Sequence, residues 1–194
     1  MVGTVRLLLL QGAPERAWLC HADPSLRAAP GAAALVVERM DSLPLERLLE
    51  DPESCARLLG ERWDLVLLPL SPQLENREAP LEETARGLLR VVAQLQDRDA
   101  QVVLANLFRH VPRARADRAA LLSRIRELNA LARRVSHETG CFLLDLDREL
   151  AHEGGLRLEA DCFGGGARAA ELAVAELTRL AFEVLADRLP EAAA

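Results

Sequence analysis

The sequence contains no lysine and no tyrosine, and all 24 of its basic side chains are arginine. With abundant Ala, Leu, Gly and Pro, this points to a GC-rich, bacterial-like coding background and carries no chemical information. Basic blocks and aromatic-basic clusters are also missing, so no nucleic-acid partner is expected. The formal net charge is −6, with acidic and basic residues interspersed. The four-leucine run Leu7–Leu10 is too short for a signal-peptide core or a membrane span. A cytoplasmic protein without membrane association is therefore expected. The four cysteines, Cys20, Cys55, Cys141 and Cys162, show no CxxC or other metal-ligand spacing. Free, mostly buried thiols are expected, with no metal and no cofactor. No glycine-rich fingerprint follows the first apolar run, which weighs against a nucleotide site.

Half of the 194 residues are hydrophobic, enough to bury a sizeable core in one domain of ordinary size. Neither linker, internal repeat nor low-complexity segment divides the chain. Residues 1–189 are read as a single domain and 190–194 as a frayed tail.

Short continuous apolar runs predict five strands: Val5–Leu10, Ala33–Val37, Leu65–Leu68, Gln101–Ala105 and Cys141–Leu144. Continuous rather than alternating runs fit strands covered on both faces. Between them lie amphipathic stretches: Leu43–Leu59, interrupted at Pro52; Pro80–Gln96, opened by Pro80, Glu82 and Glu83; Asp117–Thr139, stopped at Gly140; and Ala167–Leu189. The alternation predicts an α/β fold with three layers, a doubly wound five-stranded parallel sheet of flavodoxin-like order. In such sheets ligands bind at the carboxyl ends of the strands. That edge is expected to hold Gln11–Pro14, Glu38–Ser42, Pro69–Gln73, Asn106–His110, Asp145–Asp147 and Asp161–Gly166.

Four stretches, taken in order, carry a family likeness: Trp63-Asp64-Leu65-Val66-Leu67-Leu68; Val102 to Leu107 followed by Pro112; Asn129-Ala130-Leu131-Ala132 with Gly140 and Asp145; and Asp161 before a glycine-rich turn and a last helix. Their order and spacing resemble those of SGNH (GDSL-type) hydrolases, from Trp63 to Leu185 above all. The resemblance implies a flavodoxin-like, SGNH-hydrolase-like fold and ester hydrolysis by a serine and a histidine.

The chemical positions of that family carry other residues here. Where the resemblance places Gly-Asp-Ser, the chain reads Gly12-Ala13-Pro14, and proline offers no nucleophile. The second block, whose glycine N–H serves the oxyanion, falls around Met40-Asp41-Ser42. The third, Gly-x-Asn-Asp, falls on Leu70-Ser71-Pro72-Gln73; Pro72 takes the place of the asparagine and has no donor. The fourth, Asp-x-x-His, falls on Asp161-Cys162-Phe163-Gly164, keeping the aspartate and putting Gly164 in place of the histidine. A degenerate member, without the family's serine and histidine, is the expectation.

Several residues could carry chemistry instead. His110 ends the loop after the fourth strand, at the expected ligand edge, where it is a relocated base or simply a loop histidine. Cys162 is a nucleophile only if helix-end N–H groups lower its pKa, and otherwise a buried thiol. Ser71 and Ser42 lie on candidate loops with no base visible beside them. His21, His137 and His152 have no such placement. Gly164-Gly165-Gly166 before the last helix would bind an anion through its N–H groups, or form a tight, closely packed turn. Arg109, Arg113, Arg115 and Arg118 would bind phosphate or carboxylate, or be a solvated loop.

Three readings follow. The first is a non-catalytic SGNH-like module that binds another protein or itself through an apolar, proline-rich edge formed by Pro69, Leu70, Pro72, Leu74, Phe108 and Phe163. Leu70, Phe108, Arg109 and Gly164–Gly166 are then the contact residues. The second is an esterase- or acyltransferase-type enzyme rewired around His110, Cys162 or Ser71 with Asp161. The third is an unrelated flavodoxin-like protein that binds phosphate at Gly164–Gly166.

Overall fold

The computed structural model describes residues 4–19, 22, 25–26 and 35–188. The elements, in chain order, are β1 (Val5–Gln11), α1 (Ala13–Leu19), β2 (Leu35–Asp41), α2 (Leu45–Leu48), α3 (Pro52–Gly60), β3 (Leu65–Pro69), α4 (Ser71–Glu75), α5 (Leu81–Gln96), β4 (Gln101–Ala105), α6 (Arg118–Thr139), β5 (Phe142–Leu144), α7 (Leu146–Ala151), α8 (Gly155–Leu158) and α9 (Ala167–Val184).

The five strands form one sheet in the order β2-β1-β3-β4-β5, every pairing parallel. The register runs Leu7↔Leu65 to Leu9↔Leu67 between β1 and β3, and Leu65↔Gln101 to Pro69↔Ala105 between β3 and β4. This is the expected three-layer α/β fold. Successive side chains of a strand point to opposite faces, which explains why the apolar runs are continuous. Leu7, Leu9, Leu65, Leu67 and Val103 enter one core with Trp18, Leu19, Ala173, Val174 and Leu177. Leu8, Leu10, Val66, Leu68, Val102 and Leu104 enter the other, against Leu88, Val92, Leu121, Ile125 and Leu128.

The helices start and stop where local chemistry dictates. The amphipathic stretch is interrupted at Pro52 as expected, and the proline opens the second of two helices. Asp51 caps α3 by accepting from the Ser54 N–H at 2.8 Å, and Pro52 supplies a fixed φ where no N–H is needed. The stretch read as Leu43–Leu59 is thus α2 and α3. Gly140 ends α6 in the left-handed region, at φ 72°. The last helix stops at Val184 rather than at residue 189, which lies outside the described residues together with the tail 190–194.

The second strand is displaced from its expected place. It runs Leu35–Asp41, so Glu38–Asp41 belong to the strand and not to the loop after it; Ala33 and Ala34 lie outside the described residues. Polar Glu38, Arg39 and Asp41 hid the strand because β2 is the edge strand and only partly covered. Four short helices, α1, α4, α7 and α8, stand in stretches to which the sequence pattern assigned no helix.

Candidate functional site

Strand order reverses between β1 and β3, and the loops that leave their carboxyl ends bound a crevice there. One wall is Gly12 and α1, and the other is α4, which begins immediately after β3. The side chain that joins them is Glu15. It is 2% exposed, and its Oε2 accepts from the Ser71 hydroxyl at 2.5 Å and from the Gly12 N–H at 3.0 Å. Burial raises the Glu15 pKa above the usual carboxylate value, against the opposing effect of the Ser71 and Gly12 hydrogen bonds. A side chain at position 12 would collide with Ser71 Oγ and Glu15 Oε2, so the close approach of the two walls requires glycine.

Ser71 is therefore a buried residue of a helix start, 3% exposed, rather than a loop serine open to a substrate. Pro72 is buried beside it in the first turn of α4. Ser42 is half-buried. Its N–H donates to the Gln11 carbonyl at 2.9 Å, and its hydroxyl donates to the Leu43 carbonyl at 3.3 Å.

Beyond α1 the crevice continues into a small cavity of about 40 Å³. Its polar lining includes Glu15, Asn106, Asp161 and Cys162; Trp18, Phe108 and the alanines of α9 supply the apolar part. Pro14 and Gly164 border it side by side: a side chain at position 164 would lie 3.9 Å from the Pro14 Cα. Asp161 folds its own turn: its carboxylate accepts from the Phe163 N–H at 2.7 Å, and its backbone pairs with Gly164. The Cys162 thiol is pushed up to about 11, first by burial and then by the neighbouring Asp161 carboxylate. A thiol so placed is a poor nucleophile at neutral pH.

His110 does not line this cavity. Its ring packs against Gly155, where no side chain would fit, and stacks on Phe108 with centroids 6.0 Å apart. It faces a more open cleft bounded by Pro112, Arg113, Leu156, Glu159 and Asp161. What joins His110 to Cys162 is backbone: the Cys162 N–H donates to the His110 carbonyl at 2.9 Å. His110, Cys162 and Asp161 are thus neighbours in the fold, but the histidine and the thiol open into different spaces, with Asp161 between them.

Two of the three glycine N–H groups are used inside their own turn. Gly164 donates to the Asp161 carbonyl, and Gly166 to the carbonyls of Leu158 and Glu159, all at 3.2 Å. A side chain at Gly165 would strike Ala160. The triplet therefore has the geometry of a tight, closely packed turn. Leu70 and Leu74 are fully buried, and Phe108 is 8% exposed. The expectation that Leu70 and Phe108 present an apolar edge to a partner is corrected here: these side chains fill the space between helices and sheet. Arg109 is held by Asp147, a buried carboxylate that accepts from both the Arg109 N–H and its guanidinium. Arg115 pairs with Asp117 and lies over the Phe163 ring.

Sequence reasoning missed Glu15. An acidic residue in the first turn of a helix ordinarily signals only a favourable helix dipole. The sequence also did not assign a role to Asn106, whose side chain donates to Asp145 and accepts from the Asp147 N–H. No group of three or more His, Cys, Asp or Glu among the described residues is placed to hold a metal ion. None of their helices is long and apolar enough to cross a membrane. His21 and Cys20 lie outside the described residues.

No family model and no curated protein matches the sequence. Solved structures do match the fold. An α/β hydrolase enzyme from the metagenome of Lake Arreo superposes with a TM-score of 0.71 at 16% identity, covering 98% of this chain and 99% of that one. An acetylxylan esterase from Geobacillus stearothermophilus gives 0.69 at 11% identity, with coverage of 98% and 99%. A protein of Slackia heliotrinireducens assigned as an SGNH hydrolase gives 0.66 at 16% identity, with coverage of 91% and 98%. The chain has the fold of SGNH hydrolases, over essentially the whole length of these proteins.

Proposed function

We propose that this chain is a binding module built on the SGNH-hydrolase scaffold and that it does not run the serine-hydrolase reaction. One observation carries the reading: the place after β1 and β3 where such a fold would do its chemistry is closed by the buried Glu15–Ser71 pair. Around it, Pro14, Pro72 and Gly164 stand at the positions that the resemblance assigns to the nucleophile, the oxyanion donor and the base. An oxyanion donor alone lowers a barrier by about 3–4 kcal/mol, and a missing triad member costs several orders of magnitude in rate. The purified protein is expected to hydrolyse short acyl esters at the buffer rate and to take no label from a serine-directed phosphonate. Stoichiometric labelling of Ser71 or Ser42 overturns the reading.

The surface that suits a partner protein lies beside His110 rather than at Leu70. Leu156, on α8, is 89% exposed, and the cleft it borders also holds Arg113. Arg126 lines the adjoining cleft on the other side of His110 and Gly155. Arg109, the remaining guanidinium of that cleft, is already neutralised by Asp147. A partner that sets an apolar side chain against Leu156 and carboxylates against Arg113 and Arg126 fits this surface.

The rewired-enzyme reading has one observation in its favour, the position of Asp161 between the Cys162 cavity and the His110 cleft. Thiol-directed labelling at neutral pH separates the two. Rapid, selective modification of Cys162 favours the enzyme, and a sluggish thiol, as its raised pKa implies, favours the module.

A further inference from the structure

We propose that the Glu15 carboxyl is a proton-operated latch: neutral, it holds α1 onto α4 and keeps the cavity under Pro14 closed; ionised, it releases α1 and opens that cavity to solvent. The geometry is that of a buried acid without a counter-charge. Oε2 accepts from the Ser71 hydroxyl and the Gly12 N–H, and among the described residues no arginine is hydrogen-bonded or ion-paired to the carboxyl. Both donors come from the two walls of the crevice, so the carboxyl is the polar tie between the loop after β1 and the start of α4. Glu15 and Trp18, on the same helix, both line the cavity that contains Cys162.

The charges around it do not relieve the burden. Glu75, at the far end of α4, is also acidic and disfavours ionisation of Glu15. Arg16, the nearest cation on α1, is committed to Asp41 at 3.2 Å. At the end of β1, Gln11 is neutral and bonds the same Asp41. Helix α9, packed across α1, lines the cavity with Ala169, Ala170 and Ala173 only, and the turn before it adds the carboxylate of Asp161. Beyond the Ser71 hydroxyl and the Gly12 N–H, an ionised Glu15 thus faces acids and alanines, and water entering the cavity is its further relief.

The sign of the effect follows. Burial raises the pKa of Glu15 in the folded chain above its unfolded value. The closed state is therefore fully held below the ordinary glutamate range and is lost as pH rises through the raised, folded value. The latch does not depend on whether the chain binds a partner or turns over an ester, because its test reads protonation and accessibility alone.

The test is a pH titration of the intact protein. Carboxyl-detected NMR follows Glu15, tryptophan emission follows Trp18, and mass-mapped alkylation follows Cys162. In the wild type, Trp18 emission and Cys162 alkylation are expected to change at the pH where the Glu15 carboxyl titrates, above the ordinary glutamate range. Glu15→Gln stays neutral at every pH and is expected to abolish the transition, leaving only the smooth rise from thiol ionisation. Ser71→Ala removes a hydrogen bond made in the closed state and is expected to move the midpoint of opening downward; an upward shift means that the carboxylate ionises in place with the Ser71 bond kept, and overturns the proposal. The proposal is overturned if Glu15 titrates in the ordinary range, if it titrates without change at Trp18 and Cys162, or if Glu15→Gln keeps the transition. Should Glu15→Gln fail to fold, the wild-type carboxyl titration and the direction of the Ser71→Ala shift decide the matter.

Discussion

Asn129, in the middle of α6, satisfies both backbone polar groups of Leu107: its Oδ1 accepts from the Leu107 N–H at 2.9 Å, and its Nδ2 donates to the Leu107 carbonyl at 2.7 Å. The loop after β4 is buried at this point and has no sheet neighbour to pair with. An amide side chain replaces the missing strand. Buried backbone groups left without partners cost about 1–3 kcal/mol each. Asn129→Leu is therefore expected to destabilise the protein by about 2–4 kcal/mol, read as a lower urea midpoint with an unchanged slope. Asn129→Asp keeps the acceptor, loses the donor and buries a charge, so it is expected to be no better.

Gly12→Ala drives a methyl group into Ser71 Oγ and Glu15 Oε2. Overpacking of this kind costs about 1–3 kcal/mol. The collision is with a side-chain hydroxyl, so removing that hydroxyl makes room. The double variant Gly12→Ala/Ser71→Ala is expected to be more stable than the sum of the two single losses implies, with a coupling of about 1 kcal/mol in a double-mutant cycle. Strict additivity would mean that the two walls do not meet there.

Leu70→Asp and Leu156→Asp should behave in opposite ways, although both put a charge on an apolar residue near the strand ends. Leu70 is fully buried, and an unpaired carboxylate there is expected to cost about 4 kcal/mol or more or to abolish folding. Leu156 is 89% exposed, and its change is expected to leave thermal stability within about 0.5 kcal/mol. Light scattering and pull-down with candidate partners then read association from a folded protein. Unchanged association in Leu156→Asp removes α8 from the interface.

Asp117 accepts from both Arg77 and Arg115, and these guanidiniums hold its carboxyl well below the usual aspartate range. Its folded pKa is depressed, so its contribution is present above the unfolded value and lost as pH falls through the folded one. Carboxyl-detected NMR should find Asp117 still ionised after most aspartates have protonated. Arg115→Gln should return it toward the ordinary range, and added salt should do the same in part, because the site is exposed.

The sheet was legible because burial on both faces leaves an unbroken apolar run, as in Leu65–Leu68 and Val102–Ala105, and few other structures need one. It was least legible at β2, where an edge strand tolerates Glu38, Arg39 and Asp41. Long helices could be read from their periodicity, whereas α1 and α4 are too short to show one. The site suffered from the same limit. Proline at positions 14 and 72 is visible in the sequence, but the burial of Ser71 is not, because that depends on how α4 sits against Gly12. Leu70 and Phe108 looked like a surface because they lie between strands and helices in sequence. In space Leu70 belongs to the core on one face of the sheet and Phe108 to the core on the other.

The placement of β1 between β2 and β3 sets a schedule for synthesis. Its leucines Leu7 to Leu9 cannot be paired on both sides until Leu65–Leu67 has been made. At about 5–20 residues per second on the ribosome, β1 waits several seconds for its second neighbour. A nascent chain stalled before β3 would display that run unprotected and be a good client for a chaperone. One stalled after β3 would have both edges of the strand paired, while its faces still wait for α5, α6 and α9, so chaperone capture should fall in steps as the arrested chain lengthens.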